Sequence, residues 1–362
     1  MSPLIPAVLG LFYARGLARI IRPAMAADEE LLPTLARFLS ANMPLAERLE
    51  VTGLHRATQG VSRENWPFEL SWTEGGRRHE RSLLLRRDPV GSVLETDRRV
   101  EFQVLKALGK TGVLAPRVLL LDESGESLGR PAIVMERLNG VCDYFVLTGG
   151  TMGLAETRRR ELAVELCDTL ADIHDVDWRG LGLDAVFHSE EPPGASRELQ
   201  WWQRYLARQE LEPQPEMAEV ACWLRRNAPE PQRVVLVHGD YKPGNVLLTE
   251  AGKIEAVVDW EIAHIGDPME DLGWVTNPYR IREHTIPGVW EVEDMMGHYA
   301  ARTGLSVDPD ELRYWQVFTN FKLAAIVLTG IRSTCEQRAD RVFSYRMVRG
   351  FLRRLLQLVP ES

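Results

Sequence analysis

Three oxygen-bearing side chains, Asp240, Asn245 and Asp259, lie close together in the stretch Arg233 to Trp260, RVVLVHGDYKPGNVLLTEAGKIEAVVDW. Val234 to Val237 is a short β-branched run that reads as a buried strand, and it ends in a polar loop holding Pro243 and Gly244. Val246 to Leu248 and Ile254 to Val258 are two further apolar runs, and the turn Glu250, Ala251, Gly252, Lys253 between them predicts a hairpin. With the turn centred near Gly252, Asn245 and Asp259 fall opposite one another at its open end. Cross-strand neighbours lie roughly 5 Å apart, close enough for a carboxamide and a carboxylate to share a hard cation such as magnesium. Asp240 hangs from the preceding loop as a separate carboxylate. Two oxygen ligands and a nearby carboxylate suit phosphoryl transfer, which rests on positioning and on neutralising charge over the phosphates. Taken singly, an Asp or Asn after a strand is a turn former or a helix cap, so the combination carries the reading.

The surrounding chain supplies elements able to position these residues. Leu31, Leu32, Leu35, Phe38 and Leu39 recur at helical spacing after Asp28, Glu29 and Glu30, predicting a leading helix with Pro33 near its start. From Leu49 to Met135 the pattern becomes five short strands: Leu49 to Leu54, Phe68 to Trp72, Leu83 to Arg86, Val118 to Leu121 and Ala132 to Met135, with Gly75 and Gly76 in one turn. Glu101 shares a helix face with Val104, Leu105 and Leu108. A carboxylate on an apolar stripe needs a partner, because burying it unpaired costs several kcal/mol. Arg86, which ends the run Leu83 to Leu85, is the candidate, with Arg87 next to it as the alternative and two solvated charges as the bland reading. After Gly140 the chain is mostly helical. Leu162, Leu166, Leu170 and Ile173 mark one helix, ending near His174, and Trp201, Trp202, Tyr205 and Leu206 begin another. Helical spacing returns in Gly297 to Gly304, Trp315 to Gly330 and Val342 to Val359. The aromatic stripe reads first as core and second as the wall of a pocket.

Bulk properties bound the partners. A chain of 362 residues with 45% hydrophobic content buries a large core, and a net charge of −9 with a pI near 5.5 argues against nucleic acid as a partner. Cys142, Cys167, Cys222 and Cys335 are scattered, without a zinc or disulfide pattern, and fit a cytoplasmic protein. Leu4 to Ile21 is apolar but carries Arg15 and Arg19. Its run of about 11 residues before Arg15 is shorter than the roughly 20 that span a bilayer, so no stable membrane insertion is expected. The expectation is a helical extension packed on its own or a partner subunit's surface, which leaves a homodimer open.

The pattern His238, Asp240, Asn245, Asp259 resembles the catalytic and metal-binding motifs of the aminoglycoside phosphotransferase and choline kinase family. The wording VVDWEIAHIGDPMEDLGW, Val257 to Trp274, is similar to members associated with acyl-CoA dehydrogenases. The resemblance implies an α+β, protein-kinase-like fold of two lobes, with a small antiparallel-sheet N-lobe over 28–137 and a larger, mostly helical C-lobe over 138–362, preceded by the extension at 1–27. It implies an ATP- and magnesium-dependent kinase of a small-molecule hydroxyl. Asp240 would be the base, Lys242 would touch the γ-phosphate, Asn245 and Asp259 would hold Mg2+, and Asp271 would brace the catalytic loop, with His238 a structural member. The loop from Gln59 to Trp66, with Gly60 and Ser62, would fold over the ATP phosphates, and Arg86 with Glu101 is similar to the cation and glutamate couple that holds them. Met135 to Leu138 would join the lobes, with backbone of Glu136 and Leu138 meeting adenine.

The acceptor is read from charge. A polycationic aminoglycoside calls for a site rich in carboxylates, and none is concentrated beyond Gly266. Arg346, Arg349 and Arg353 suit an anionic substrate such as a hydroxyacyl-CoA, or simply a solvated face. Two rival readings are a nucleotide-binding pseudokinase and a metallohydrolase built on His238, Asp240, His264 and Asp267.

Overall fold

The computed structural model describes residues 30–57, 63–89, 96–188, 191–336 and 345–359. The expected N-terminal extension and the loop residues Gly60 and Ser62 lie outside them. The five expected strands form one sheet: β1 Glu47–Thr52, β2 Glu64–Glu74, β3 Arg77–Arg87, β4 Val118–Asp122 and β5 Ala132–Glu136, in the order β1-β2-β3-β5-β4. The β2–β3 pair is antiparallel and in unbroken register from Glu64↔Arg87 to Glu74↔Arg77. Gly75 and Gly76 turn it with φ of 55° and 77°, angles an L side chain rarely adopts.

The chain divides into two compact units. Among the described residues the smaller holds 30–57, 64–88 and 120–134, and the larger holds residues 63, 89 and 96–119 and those from 135 onward. In the smaller unit α1, Leu31–Asn42, buries Leu31, Leu35, Phe38 and Leu39. Alternation along β2 and β3 places Phe68, Leu70, Leu83 and Leu85 in the core. At the open end of that ladder, away from the turn, Glu64 accepts from Arg87 and Arg130, each at 2.9 Å, so the buried carboxylate is paired.

In the larger unit α2, Arg98–Leu108, starts at Asp97, whose side chain accepts from the Arg99 N–H at 2.8 Å. The helices α3 Glu156–His174, α4 Ala195–Gln209 and α5 Pro215–Arg226 follow. Then come β6 Val235–Val237, β7 Val246–Leu248, β8 Ile254–Val257, β9 His264–Gly266 and α6 Met269–Val275. The chain closes with α7 Val292–Thr303, α8 Pro309–Cys335 and α9 Tyr345–Leu358. The long helix α8 is the centre of this core, with Trp315, Phe318 and Phe321 buried. It approaches α6 so closely that a Cβ on Gly273 would lie 2.6 Å from Trp315. The aromatic stripe of α4 is mainly core: Trp202, Tyr205 and Leu206 are buried and Trp201 is exposed. Arg346, Arg349 and Arg353 are exposed on α9. Among the described residues no helix is long and apolar enough to cross a membrane.

Candidate active site

The loop from His238 to Asn245 leaves β6, a three-residue strand that pairs antiparallel with β9. Buried carboxylate and imidazole groups set its backbone. Asp271, on α6, accepts from the N–H groups of His238 and Gly239, each at 2.8 Å, and His174 Nε2 lies 3.1 Å from it. Burial alone would raise the Asp271 carboxyl; the hydrogen bonds from His174 and the His238 N–H outweigh that and hold it down to about 2. His174, whose Nδ1 is 2.7 Å from the Tyr299 hydroxyl, is therefore a bracing group inside the core. His238 is fully buried. Its Nε2 donates to the Val258 carbonyl at 3.1 Å and its Nδ1 accepts from the Asp240 N–H at 3.2 Å, and burial lowers its pKa. Tyr241 anchors the loop through its hydroxyl, which donates to the Leu166 carbonyl at 2.7 Å.

Asp240 faces away from these braces. One carboxylate oxygen, Oδ2, accepts from Lys242 Nζ at 2.5 Å and from Asn245 Nδ2 at 2.9 Å. The same Asn245 nitrogen donates to the Asp240 carbonyl at 2.9 Å, which turns the amide and leaves Asn245 Oδ1 as the atom on offer to a cation. The other oxygen of Asp240, Oδ1, accepts no hydrogen bond among the described residues.

The β7–β8 hairpin forms as the alternation implies, with a correction of one residue in register. Val246 pairs with Val257, and the Val258 N–H donates to the Asn245 carbonyl at 2.9 Å, so Asn245 faces Val258 and Asp259 comes one step later. Leu248 pairs with Ile254, so the turn centres on Ala251 and not on Gly252, and the irregularity between Leu247 and Leu248 recovers one of the two residues of that shift. Asp259 takes φ of 70°, a left-handed conformation that turns the chain immediately after the strand. Its charge acts on both His238 and the thiol of Cys142. Asn245 Oδ1 and the half-buried Asp259 carboxylate are hard oxygen donors of the kind Mg2+ takes, and the donor set fits that ion.

The remaining sequence candidates fall as follows. Arg86 is half-buried and pairs in register with Asn65, whereas the neighbouring Arg87 guanidinium is engaged by Glu64. Glu101 is buried and accepts from Arg98. The Glu136 N–H donates to the Arg117 carbonyl at 2.8 Å, and Leu138 is half-buried beyond it. His264 and Asp267 have partners of their own: His264 Nε2 lies 3.0 Å from Glu270, and Asp267 accepts from the Met269 N–H at 2.9 Å. Among the described residues the one trio of His, Cys, Asp or Glu side chains close enough to share a metal is Glu198, His264 and Glu270, without Asp240, so the metallohydrolase reading has no cluster behind it.

Several residues of the site were not singled out from sequence. Arg63 donates to Glu261 at 2.7 Å, and Arg98 also lies 3.5 Å from Glu261, two residues after Asp259. Arg280 packs over the Trp274 ring at 5.0 Å, donates to Glu283 at 2.8 Å and feels the Asp240 charge. His284 is buried; burial and then the positive charges of Arg280 and Lys242 hold its pKa down to about 3, so the ring is neutral.

Residues 60–305 match the phosphotransferase enzyme family, APH. The chain belongs to that family. It is 29% identical over 263 residues to acyl-CoA dehydrogenase family member 10 of Mus musculus, covering 68% of this chain and 24% of that protein. The chain thus spans about a quarter of that relative's length. Its fold is similar to that of a putative aminoglycoside phosphotransferase from Ralstonia eutropha, at a TM-score of 0.64 and 20% identity, covering 90% of this chain and 95% of the other. It is also similar to a thermostable mutant of an aminoglycoside phosphotransferase solved with ADP and hygromycin B. There the TM-score is 0.50 at 17% identity, over 91% of this chain and 100% of the other.

Proposed function

We propose that this phosphotransferase moves the γ-phosphate of ATP, as its magnesium complex, to a hydroxyl of a small molecule. The observation that carries the reading is the state of Asp240: one oxygen fixed by Lys242 and Asn245, the other accepting nothing from the described residues. A carboxylate held this way can accept the proton of an incoming hydroxyl as that oxygen attacks phosphorus. Magnesium, held by Asn245 Oδ1 and Asp259, would neutralise the phosphate charge. Lys242, which pairs with Asp240, would meet the γ-phosphate oxygens once nucleotide binds. With Arg87 engaged by Glu64, Arg86 is the strand cation we assign to the α- and β-phosphates, and Glu101, which accepts from Arg98, is left out of that assignment. Gly60 and Ser62 would cover the phosphates, and the Glu136 carbonyl and the Leu138 backbone would meet adenine. Intact Asp240, Asn245 and Asp259 speak for transfer over a pseudokinase.

For the acceptor we favour a hydroxyacyl-CoA. Lys242 and Arg280 put positive charge around Asp240, which suits an anionic acceptor better than a polycationic aminoglycoside. The name of the mouse relative, an acyl-CoA dehydrogenase family member, supports the same class. The test is incubation of the purified protein with magnesium and ATP against hydroxyacyl-CoAs, amino alcohols, sugars and aminoglycosides, read by ADP release and product mass. A phosphorylated hydroxyacyl-CoA is expected. A phosphorylated product from another class alone would overturn the acceptor assignment, and no product from any class would overturn the transferase reading.

A further inference from the structure

Behind the loop from His238 to Lys242 lies a buried charge network that the proposed chemistry does not use. Lys322, on α8, has 1% of its side chain exposed, yet its ammonium is well engaged. Nζ donates to the Gly239 carbonyl at 2.7 Å and to Glu270 Oε1 at 3.0 Å, and lies 5.6 Å and 5.4 Å from the ring centres of Trp202 and Trp274. The other Glu270 oxygen meets His264 Nε2 at 3.0 Å, and that nitrogen is 3.5 Å from Glu198. Burial opposes a charge on His264; Glu198 and then Glu270 outweigh it and push its pKa up to about 9. Arg197 lies 3.3 Å from the other side of Glu198, so three cations face the two carboxylates. The trio Glu198, His264 and Glu270 has its positive charge supplied by Lys322, Arg197 and the imidazolium, which makes it an ion-pair network rather than a metal site.

The network ends on one peptide. Gly239 has φ of 80°, and a Cβ there would lie 2.9 Å from the Ile262 carbonyl and 3.1 Å from Lys322 Nζ. Its N–H is held by Asp271 and its carbonyl by Lys322, and Lys322 is held in turn by Glu270, the residue before Asp271. Gly239, the residue leading into Asp240, thus has both its backbone N–H and its carbonyl held by ionised groups in the core. Charged donors make the stronger hydrogen bonds, and a base must be held to within a fraction of an ångström to work.

We propose that Lys322 is a positioning residue for Asp240: by holding the Gly239 carbonyl, with Glu270 as its anchor, it sets the backbone from which the Asp240 carboxylate projects. The proposal rests on the reading of Asp240 as the base. Replacing a buried ion pair by apolar groups of similar size is often neutral for stability, whereas removing one partner is not, and this separates positioning from mere packing. Lys322→Met alone should melt early. The double variant Lys322→Met with Glu270→Leu should regain most of the melting temperature while turnover stays about 10- to 100-fold low, the scale for a misplaced catalytic group. ATP affinity should remain within about twofold, and the 238–242 amides should exchange faster with solvent than in the wild type. Turnover and exchange returning to wild-type values together with the melting temperature would overturn it. Should the double variant not fold, Lys322→Gln, a shorter neutral donor, carries the same readouts, and wild-type turnover with wild-type exchange in it overturns the proposal. A wild-type protein that phosphorylates nothing sinks the transferase reading instead, and the amide exchange still reports whether Lys322 holds the loop.

Discussion

The two faces of the loop from His238 to Asn245 are built on opposite rules. On the rear face the ionised groups meet partners: Asp271 takes two backbone N–H groups and His174, and Lys322 takes a carbonyl and Glu270. On the forward face Asp240 has one oxygen gripped and one accepting nothing among the described residues, and Asp259 stands in a left-handed conformation. Buried charge that is fully paired stabilises and orients; a polar atom left without a partner in a buried place is a cost a fold tolerates where a ligand is to be met. Substitutions on the forward face should therefore cost turnover with little loss of stability, and those on the rear face should cost stability, with turnover following only through the backbone that carries Asp240.

The sharpest break in that contrast comes from Asp240→Asn. Turnover on the true acceptor should fall by about 10²- to 10⁴-fold, the range for a lost general base, with melting temperature and ATP affinity little changed. Wild-type turnover in that variant would reject the assignment of Asp240. Asp271→Ala is the rear-face counterpart. It strands two N–H groups and His174 in the core, and equilibrium denaturation should show a loss of about 3–5 kcal/mol, the scale for removing one partner of a buried network. A loss under about 1 kcal/mol would place Asp271 outside the bracing role.

Arg280→Ala sharpens the forward side, since hydrogen bonds to charged groups contribute about 1.5–3 kcal/mol and an anionic acceptor would lose at least about tenfold in apparent KM. An unchanged KM would separate Arg280 from the acceptor. The smallest effect concerns pH. His264 is raised to about 9 from 6.5, so its ion pairs contribute stability that is fully present below 6.5 and lost as pH rises through about 9. Wild-type melting temperature should fall over that window, and His264→Gln should flatten the fall. Parallel curves for the two proteins would contradict it.

The sheet, the leading helix and the long helices were legible because each carries its own period: alternation in β2 and β3, and Leu31, Leu35, Phe38, Leu39 in α1. Among the short elements β6 and the β7–β8 hairpin were legible as apolar runs bounded by turns, whereas β9 and α6 were not. β9 and α6 span three and seven residues, too few to show a period, and β9 is stabilised by β6 from far along the chain. The hairpin was legible but its register was not, because the residue types from Glu250 to Lys253 do not fix the turn centre at Ala251 and the irregularity at Leu247 and Leu248 has no mark in them. Of the candidate site, the motif residues could be read off, while the groups behind them depend on long-range pairing. Lys322 did leave a trace. It is a cation within the apolar run Trp315 to Gly330, the same signal that drew attention to Glu101, and it demanded a buried partner in the same way.

The central claim is that the forward face grips a magnesium nucleotide beside Asp240, and titration calorimetry of ATP with and without magnesium tests it most directly. The wild type should bind ATP more tightly with magnesium present, and Asp259→Ala should lose that difference while staying folded. The same magnesium effect in both proteins would contradict the assignment of Asp259 and the phosphotransfer geometry built on it.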